Sequence, residues 1–76
     1  MELSDFVQHV AEQFDDMDPA EFTAETEFKT LDDWSSLTAL SIIAMADEEY
    51  NVILKGEDIH NATTVSDLFE TVKSKI

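Results

Sequence analysis

Residues 32–50 read Asp32-Asp33-Trp34-Ser35-Ser36-Leu37-Thr38-Ala39-Leu40-Ser41-Ile42-Ile43-Ala44-Met45-Ala46-Asp47-Glu48-Glu49-Tyr50, and the fold follows from this stretch. Leu37, Leu40, Ile43, Ala44 and Asp47 fall on one helical line, and Ala39, Ile42, Ala46 and Tyr50 on another, so the spacing predicts a helix from about Ser36 to Tyr50. Its apolar width predicts contact with more than one neighbour. Ser35 suits the N-cap, because its hydroxyl can accept from an orphan amide of the first turn.

Upstream, Leu3, Phe6, Val7, Val10, Ala11 and Phe14 mark the apolar face of a first helix. Asp18-Pro19 disfavours helical geometry, so that helix is expected to stop near Asp15-Asp16. Residues 19–33 lose periodicity and read as a long connection. Asp18 as cap and Glu21 three residues on suit one short helical turn, with Phe22, Phe28 and Leu31 tucked against the core. A connection this long in so small a chain is uncommon and often functional.

Downstream, Asn51 to Lys55 reads as extended, with Val52 and Leu54 buried. Gly56 opens Glu57-Asp58-Ile59-His60-Asn61, about one helical turn. Thr64 and Asp67 have the spacing of a capping box before Val65, Leu68, Phe69, Val72 and Ile76, the apolar face of a last helix. The expected architecture is all-α, one domain over residues 1–76: a small bundle of three main helices plus one short helix.

Composition narrows the function. The chain has 76 residues, 18 acidic against 4 basic, for a net charge of −14. A chain of this size buries only about 60% of its unfolded surface, which disfavours a deep enzyme pocket. All four cations are Lys, at 29, 55, 73 and 75, and they form no patch, so nucleic acid and anionic membranes are not expected partners. Basic protein surfaces are. A hydrophobic content of 43% exceeds that of a disordered acidic tail. There is no Cys, no apolar run of the roughly 18 residues that suggest a membrane span, and no basic start of a secretion signal. A soluble, cytoplasmic monomer is expected.

Several chemistries fail on their motifs. Gly-x-Ser-x-Gly is absent, His9 and His60 read as surface residues with no shared site, and one glycine cannot make a phosphate-cradling loop. Asp16, Asp18 and Glu27 take the first, third and twelfth places of a calcium loop, but Glu21 stands where glycine is needed and Pro19 intrudes. Weak divalent binding at Asp32-Asp33 or Asp47-Glu48-Glu49 and a plain solvated face both suit the acidic clusters.

The two serines before Leu37 suit plain capping. A hydroxyl at a helix N-terminus can equally carry a phosphate ester, which meets free amides and the positive end of the helix dipole.

In this order of elements the chain resembles the acyl carrier proteins. The resemblance runs over nearly the whole chain: the first helix, the long loop with Phe28 and Leu31, the Ser-Leu start of the second helix, its end Asp47-Glu48-Glu49-Tyr50, the Ile59 region, and Thr64-Val65-Ser66-Asp67-Leu68. The family motif is Asp-Ser-Leu, and here the tripeptide is Ser35-Ser36-Leu37. The resemblance implies a 4′-phosphopantetheine arm on Ser36, installed from coenzyme A by a phosphopantetheinyl transferase, with no catalytic residue in the chain itself.

It further implies docking to basic surfaces of acyl-transferring or acyl-modifying enzymes through Asp32, Asp33, Asp47, Glu48, Glu49, Glu57 and Asp58, with Leu37 and Met45 as apolar contacts. Ile42, Ile43, Ala46, Ile59, Val65 and Leu68 would shelter an acyl chain, or serve as plain core. Carriers of ordinary fatty acid synthesis place carboxylates on the early exposed face of the second helix, where this chain has Thr38, Ser41 and Met45. With Trp34 before the motif, this suggests a polyketide-like, peptide or other dedicated acyl pathway, with fatty acid synthesis also open, and the start at Met1 without a flanking linker suggests a stand-alone carrier. Ser35 in the acidic position leaves an alternative, a carrier-like interaction module that is never modified.

Overall fold

The computed structural model describes residues 2–14 and 19–76, all helix, turn and loop with no strand among them. Helix α1 spans Leu3–Ala11, α2 Ser36–Tyr50, α3 Gly56–Asn61 and α4 Val65–Ser74, with short 3-10 turns at Pro19–Glu21 and Phe28–Thr30. This is the expected bundle of three main helices and one short one. None of the described helices is long and apolar enough to cross a membrane.

Helix α1 ends earlier than its apolar spacing predicts. The Gln13 amide donates to Val10 and the Phe14 amide to Ala11, both at 3.0 Å, so the last turn tightens from the α to the 3-10 pattern. The tighter winding turns Phe14 inward, where its ring lies 5.0 Å from that of Phe22. Asp15, Asp16 and the proposed cap Asp18 lie outside the described residues.

The connection that follows is held at both ends of its length. Phe22 and Phe28 are buried as expected. Between them, the Ala24 and Thr26 carbonyls accept the Ser66 and Val65 amides at 2.8 and 3.1 Å. Those two amides open α4 and have no partner within the helix. Lys29 Nζ donates to the His60 carbonyl at 2.6 Å, placing a cation at the C-terminal end of α3.

Helix α2 buries one of its two apolar lines. Ile42 and Ala46 are fully buried and Tyr50 half-buried, whereas Leu37 and Leu40 are 75% and 60% exposed. Met45 and Thr38 turn inward beside Ile42. Asn51 closes the helix in the left-handed region, φ 57°, a conformation that asparagine tolerates better than most residues. The chain turns back so that the Val52 amide reaches the Ala46 carbonyl at 3.2 Å. Val52 and Leu54 then point inward and Ile53 outward, the alternation of an extended segment.

Helix α4 carries the expected capping box. Thr64 Oγ1 accepts from the Asp67 amide, and Asp67 Oδ2 accepts from the Thr64 amide. Val65, Leu68, Phe69 and Val72 are buried, but Ile76 is 73% exposed. Lys75 caps the helix, with its amide bonded to the Val72 carbonyl, so Ile76 lies beyond the helical face that Val72 ends. Helix α1 packs on α4 and α2, and α3 on α4. The Phe6 ring sits at this junction, 5.7 Å from Tyr50 and 5.6 Å from Phe69.

Candidate functional site

The segment before α2 is fixed by an aromatic anchor and a backbone turn. The Trp34 ring meets Phe28 edge-on at 5.5 Å and stacks on Phe14 at 6.3 Å. Its amide donates to the Leu31 carbonyl at 3.0 Å. With Trp34 seated, Ser35 takes an extended conformation and its Oγ accepts the Thr38 amide at 3.3 Å. Thr38 Oγ1 donates in turn to the Asp33 carbonyl at 3.1 Å.

The neighbouring serines therefore differ. Ser35 is the cap, as its position predicted, whereas Ser36 is exposed at the first position of the helix and its hydroxyl makes no hydrogen bond among the described residues. No hydrogen bond from the Ser36 or Leu37 amide is found there either. The positive end of α2 thus stands open beside a free hydroxyl.

Leu37 lies beside Ser36 in water, as an apolar contact requires. Met45 does not: at 5% exposure it is part of the core, because α2 turns that position toward the interior alongside Ile42 and Ala46. Of the three residues expected on the early outer face, Thr38 and Met45 are buried and only Ser41 is partly exposed. Leu37, Leu40 and Ala44 occupy the outer face instead, so that face is uncharged but built from other residues than the spacing suggested.

Asp32 lies exposed before α2, and Asp47, Glu48 and Glu49 lie exposed at its far end, with Glu57 exposed on α3. Asp33 is half-buried. Asp58 serves the fold itself. Its Oδ2 accepts the Lys55 amide at 2.9 Å and lies 3.5 Å from Lys75 Nζ. The Lys55 amide above all, with the Lys75 charge, lowers its pKa from the usual carboxylate value.

His9 is half-buried, in contrast to the surface position expected of it, since it packs edge-on against Tyr50 with ring centroids 5.6 Å apart. His60 is exposed. No group of three acidic or histidine side chains able to hold a metal ion occurs among the described residues, while Asp16 and Asp18 of the calcium pattern lie outside them.

The six residues expected to shelter an acyl chain form a closed interior. Ile42, Ala46, Val65 and Leu68 are fully buried, Ile59 is 4% exposed, and Ile43 packs against them from the edge. An open groove of about 700 Å³ lies elsewhere, between α1 and the start of the long connection, with Leu3, Val7, Ala20, Phe22 and Ala24 in its wall. Periodicity assigned Leu3 and Val7 to the first helix face. No local pattern indicates that residues 20–24 lie across it.

Comparison with known proteins leaves the site to be read from its own chemistry: no family model, no curated protein and no solved structure matches the chain.

Proposed function

We propose that this chain is an acyl carrier protein bearing a 4′-phosphopantetheine arm on Ser36. The observation that carries the reading is the division of labour between adjacent serines: Ser35 is committed to the helix cap, and Ser36 is exposed with an unengaged hydroxyl. The sequence resemblance places the arm on that same residue.

In the reaction, the Ser36 oxygen attacks the pantetheine-bearing phosphorus of coenzyme A. A P–O bond forms, the pyrophosphate bond breaks, adenosine 3′,5′-bisphosphate leaves, and the serine proton passes to a base of the transferase. The phosphodiester so formed sits at the positive end of α2, where the Ser36 and Leu37 amides can meet its charge. The arm ends in a thiol that carries acyl groups as thioesters, and partner enzymes do the chemistry on them. With no Cys in the chain, no internal thiol competes for the cargo.

Recognition follows the charge. A net charge of −14 favours transient encounters with basic partner surfaces. The acidic ends of α2 frame an outer face of Leu37, Leu40 and Ala44, which suits partners with an apolar patch between basic groups. This pattern fits a specialised acyl pathway, such as a polyketide-like one, and a cytoplasmic monomer that visits several enzymes.

The replacement of the family's acidic residue by Ser35 favours the second reading, an interaction module that stays unmodified. Incubation with coenzyme A and a broad-specificity phosphopantetheinyl transferase, followed by intact-mass measurement, separates the two. The expected mass gain is one phosphopantetheine, lost in Ser36→Ala. No gain in the wild-type chain, or the same gain in Ser36→Ala, overturns the assignment.

A further inference from the structure

Among the described residues, Thr38 is the one buried side chain that is not apolar, at 8% exposure. We infer that it is a positioning residue for Ser36: its hydroxyl fixes the turn from Asp33 to Ser35 and so sets where the Ser36 hydroxyl stands. Its part in phosphopantetheine transfer rests on the carrier reading above.

The Thr38 hydroxyl reaches out of its own helix. Thr71 and Ser74 show the usual use of a helical hydroxyl, donating to the Asp67 and Thr71 carbonyls four and three residues back. Thr38 Oγ1 instead donates at 3.1 Å to the Asp33 carbonyl, five residues back and outside α2. Burial beside Ile42 and branching at Cβ hold the side chain to that direction.

The bond lands where the turn can be fixed. The Asp33 carbonyl belongs to the same planar peptide unit as the Trp34 amide, which donates to the Leu31 carbonyl at 3.0 Å. That unit is therefore held on both sides. With the single Thr38 hydroxyl proton directed to Asp33, the 3.3 Å contact between Ser35 Oγ and Thr38 Oγ1 takes its proton from Ser35. Ser35 Oγ also accepts the Thr38 amide. Thr38 thus holds both neighbours of Trp34, and the next residue in the chain is Ser36.

A crossed pair of variants separates this polar role from packing. Thr38→Val keeps the shape and loses the hydroxyl, whereas Thr38→Ser keeps the hydroxyl and loses the methyl. On the unmodified chain, hydrogen exchange at the Trp34 amide is expected to quicken about tenfold in Thr38→Val and to stay within about twofold of wild type in Thr38→Ser. With coenzyme A and a broad-specificity phosphopantetheinyl transferase, Thr38→Val is expected to lower kcat for transfer to Ser36 about tenfold at unchanged KM, because the exposed residues that meet the partner are untouched. Thr38→Ser is expected to keep the wild-type kcat. If Thr38→Val does not fold, Thr38→Ala against Thr38→Ser makes the same comparison, the two differing by the hydroxyl alone.

Wild-type exchange and kcat in Thr38→Val, equal losses in Thr38→Val and Thr38→Ser, or a change in KM alone would each overturn the inference. If the wild-type chain takes no phosphopantetheine, the carrier reading fails, and exchange at Trp34 still decides whether Thr38 holds the turn. If the chain is modified and Thr38→Val behaves as wild type, the role of Thr38 fails and the carrier reading stands.

Discussion

His9 Nδ1 lies 2.6 Å from the Tyr50 hydroxyl, tying α1 to the last residue of α2. Glu49 Oε1 lies 3.8 Å from His9 Nε2, and in the tautomer with the proton on that nitrogen the tyrosine O–H is the donor to Nδ1. Tyr50 also packs on Phe6, so one side chain joins a polar latch to the aromatic centre of the core.

Tyr50→Phe keeps the ring and removes the latch, and is expected to lower stability by about 1 kcal/mol at neutral pH. The phenol pKa is raised from its ordinary 10.0, first by burial and then by the negative charges of Asp5 and Glu49. A raised pKa in the fold means that the unfolded tyrosine ionises first, so this contribution is fully present below pH 10 and is lost as pH rises through the folded value. Urea unfolding at stepped alkaline pH should therefore show the advantage of wild type over Tyr50→Phe shrinking as pH rises from 10 toward the folded value. A constant gap between them would refute the linkage.

Two helix starts differ in a way that hydrogen exchange can read. The Val65 and Ser66 amides of α4 are held by loop carbonyls, whereas no partner is found among the described residues for the Ser36 and Leu37 amides of α2. First-turn amides ordinarily lack partners. Val65 and Ser66 should exchange slowly, with the protection of the loop-to-α4 unit, and Ser36 and Leu37 should exchange near the open-chain rate. Equal rates at the two starts would mean that the long connection does not clasp α4.

The elements whose boundaries were legible are those bounded by local chemistry. Ser35 and the Thr64–Asp67 pair mark where α2 and α4 begin, because a side-chain oxygen three residues before an orphan amide satisfies it regardless of what packs nearby. The end of α1 was not legible, since the tightened last turn accompanies Phe14 packing on Phe22, a contact between segments eight residues apart. Met45 was misplaced for a related reason: α2 is apolar on most sides, so periodicity cannot say which line faces inward. The motif singles out Ser36, and the structure shows that residue exposed at the first position of α2. The groove beside α1 was not legible, because it exists only once residues 20–24 are laid across the helix.

The corrected position of Met45 separates core from surface in one experiment. Met45→Ala empties a site at 5% exposure and is expected to cost about 2–4 kcal/mol. Leu37→Ala, at 75% exposure, should change stability by no more than about 0.5 kcal/mol. If Leu37 is the apolar contact beside the arm, the same change slows modification of Ser36 while the melting curve stays put. A large stability loss in Leu37→Ala, or none in Met45→Ala, would contradict the orientation of α2.

Ser35→Asp gives the chain the Asp-Ser-Leu tripeptide that the proposed carrier role calls for, and sets two electrostatic effects against each other. Aspartate caps as well as serine does, and a carboxylate at the positive end of α2 contributes about 0.3–1 kcal/mol. The change also takes the net charge from −14 to −14 − 1 = −15 and adds a carboxylate close to Asp32 and Asp33. Repulsion among exposed charges is screened within about 10 Å at 0.1 M salt, whereas the cap hydrogen bond is a short-range contact. The variant should gain little at low salt and melt above wild type at moderate salt, with faster transfer of phosphopantetheine to Ser36. A variant that is less stable at every salt concentration would show that Ser35 is the better cap in this loop, and unchanged transfer would show that the acidic residue is not what the transferase reads.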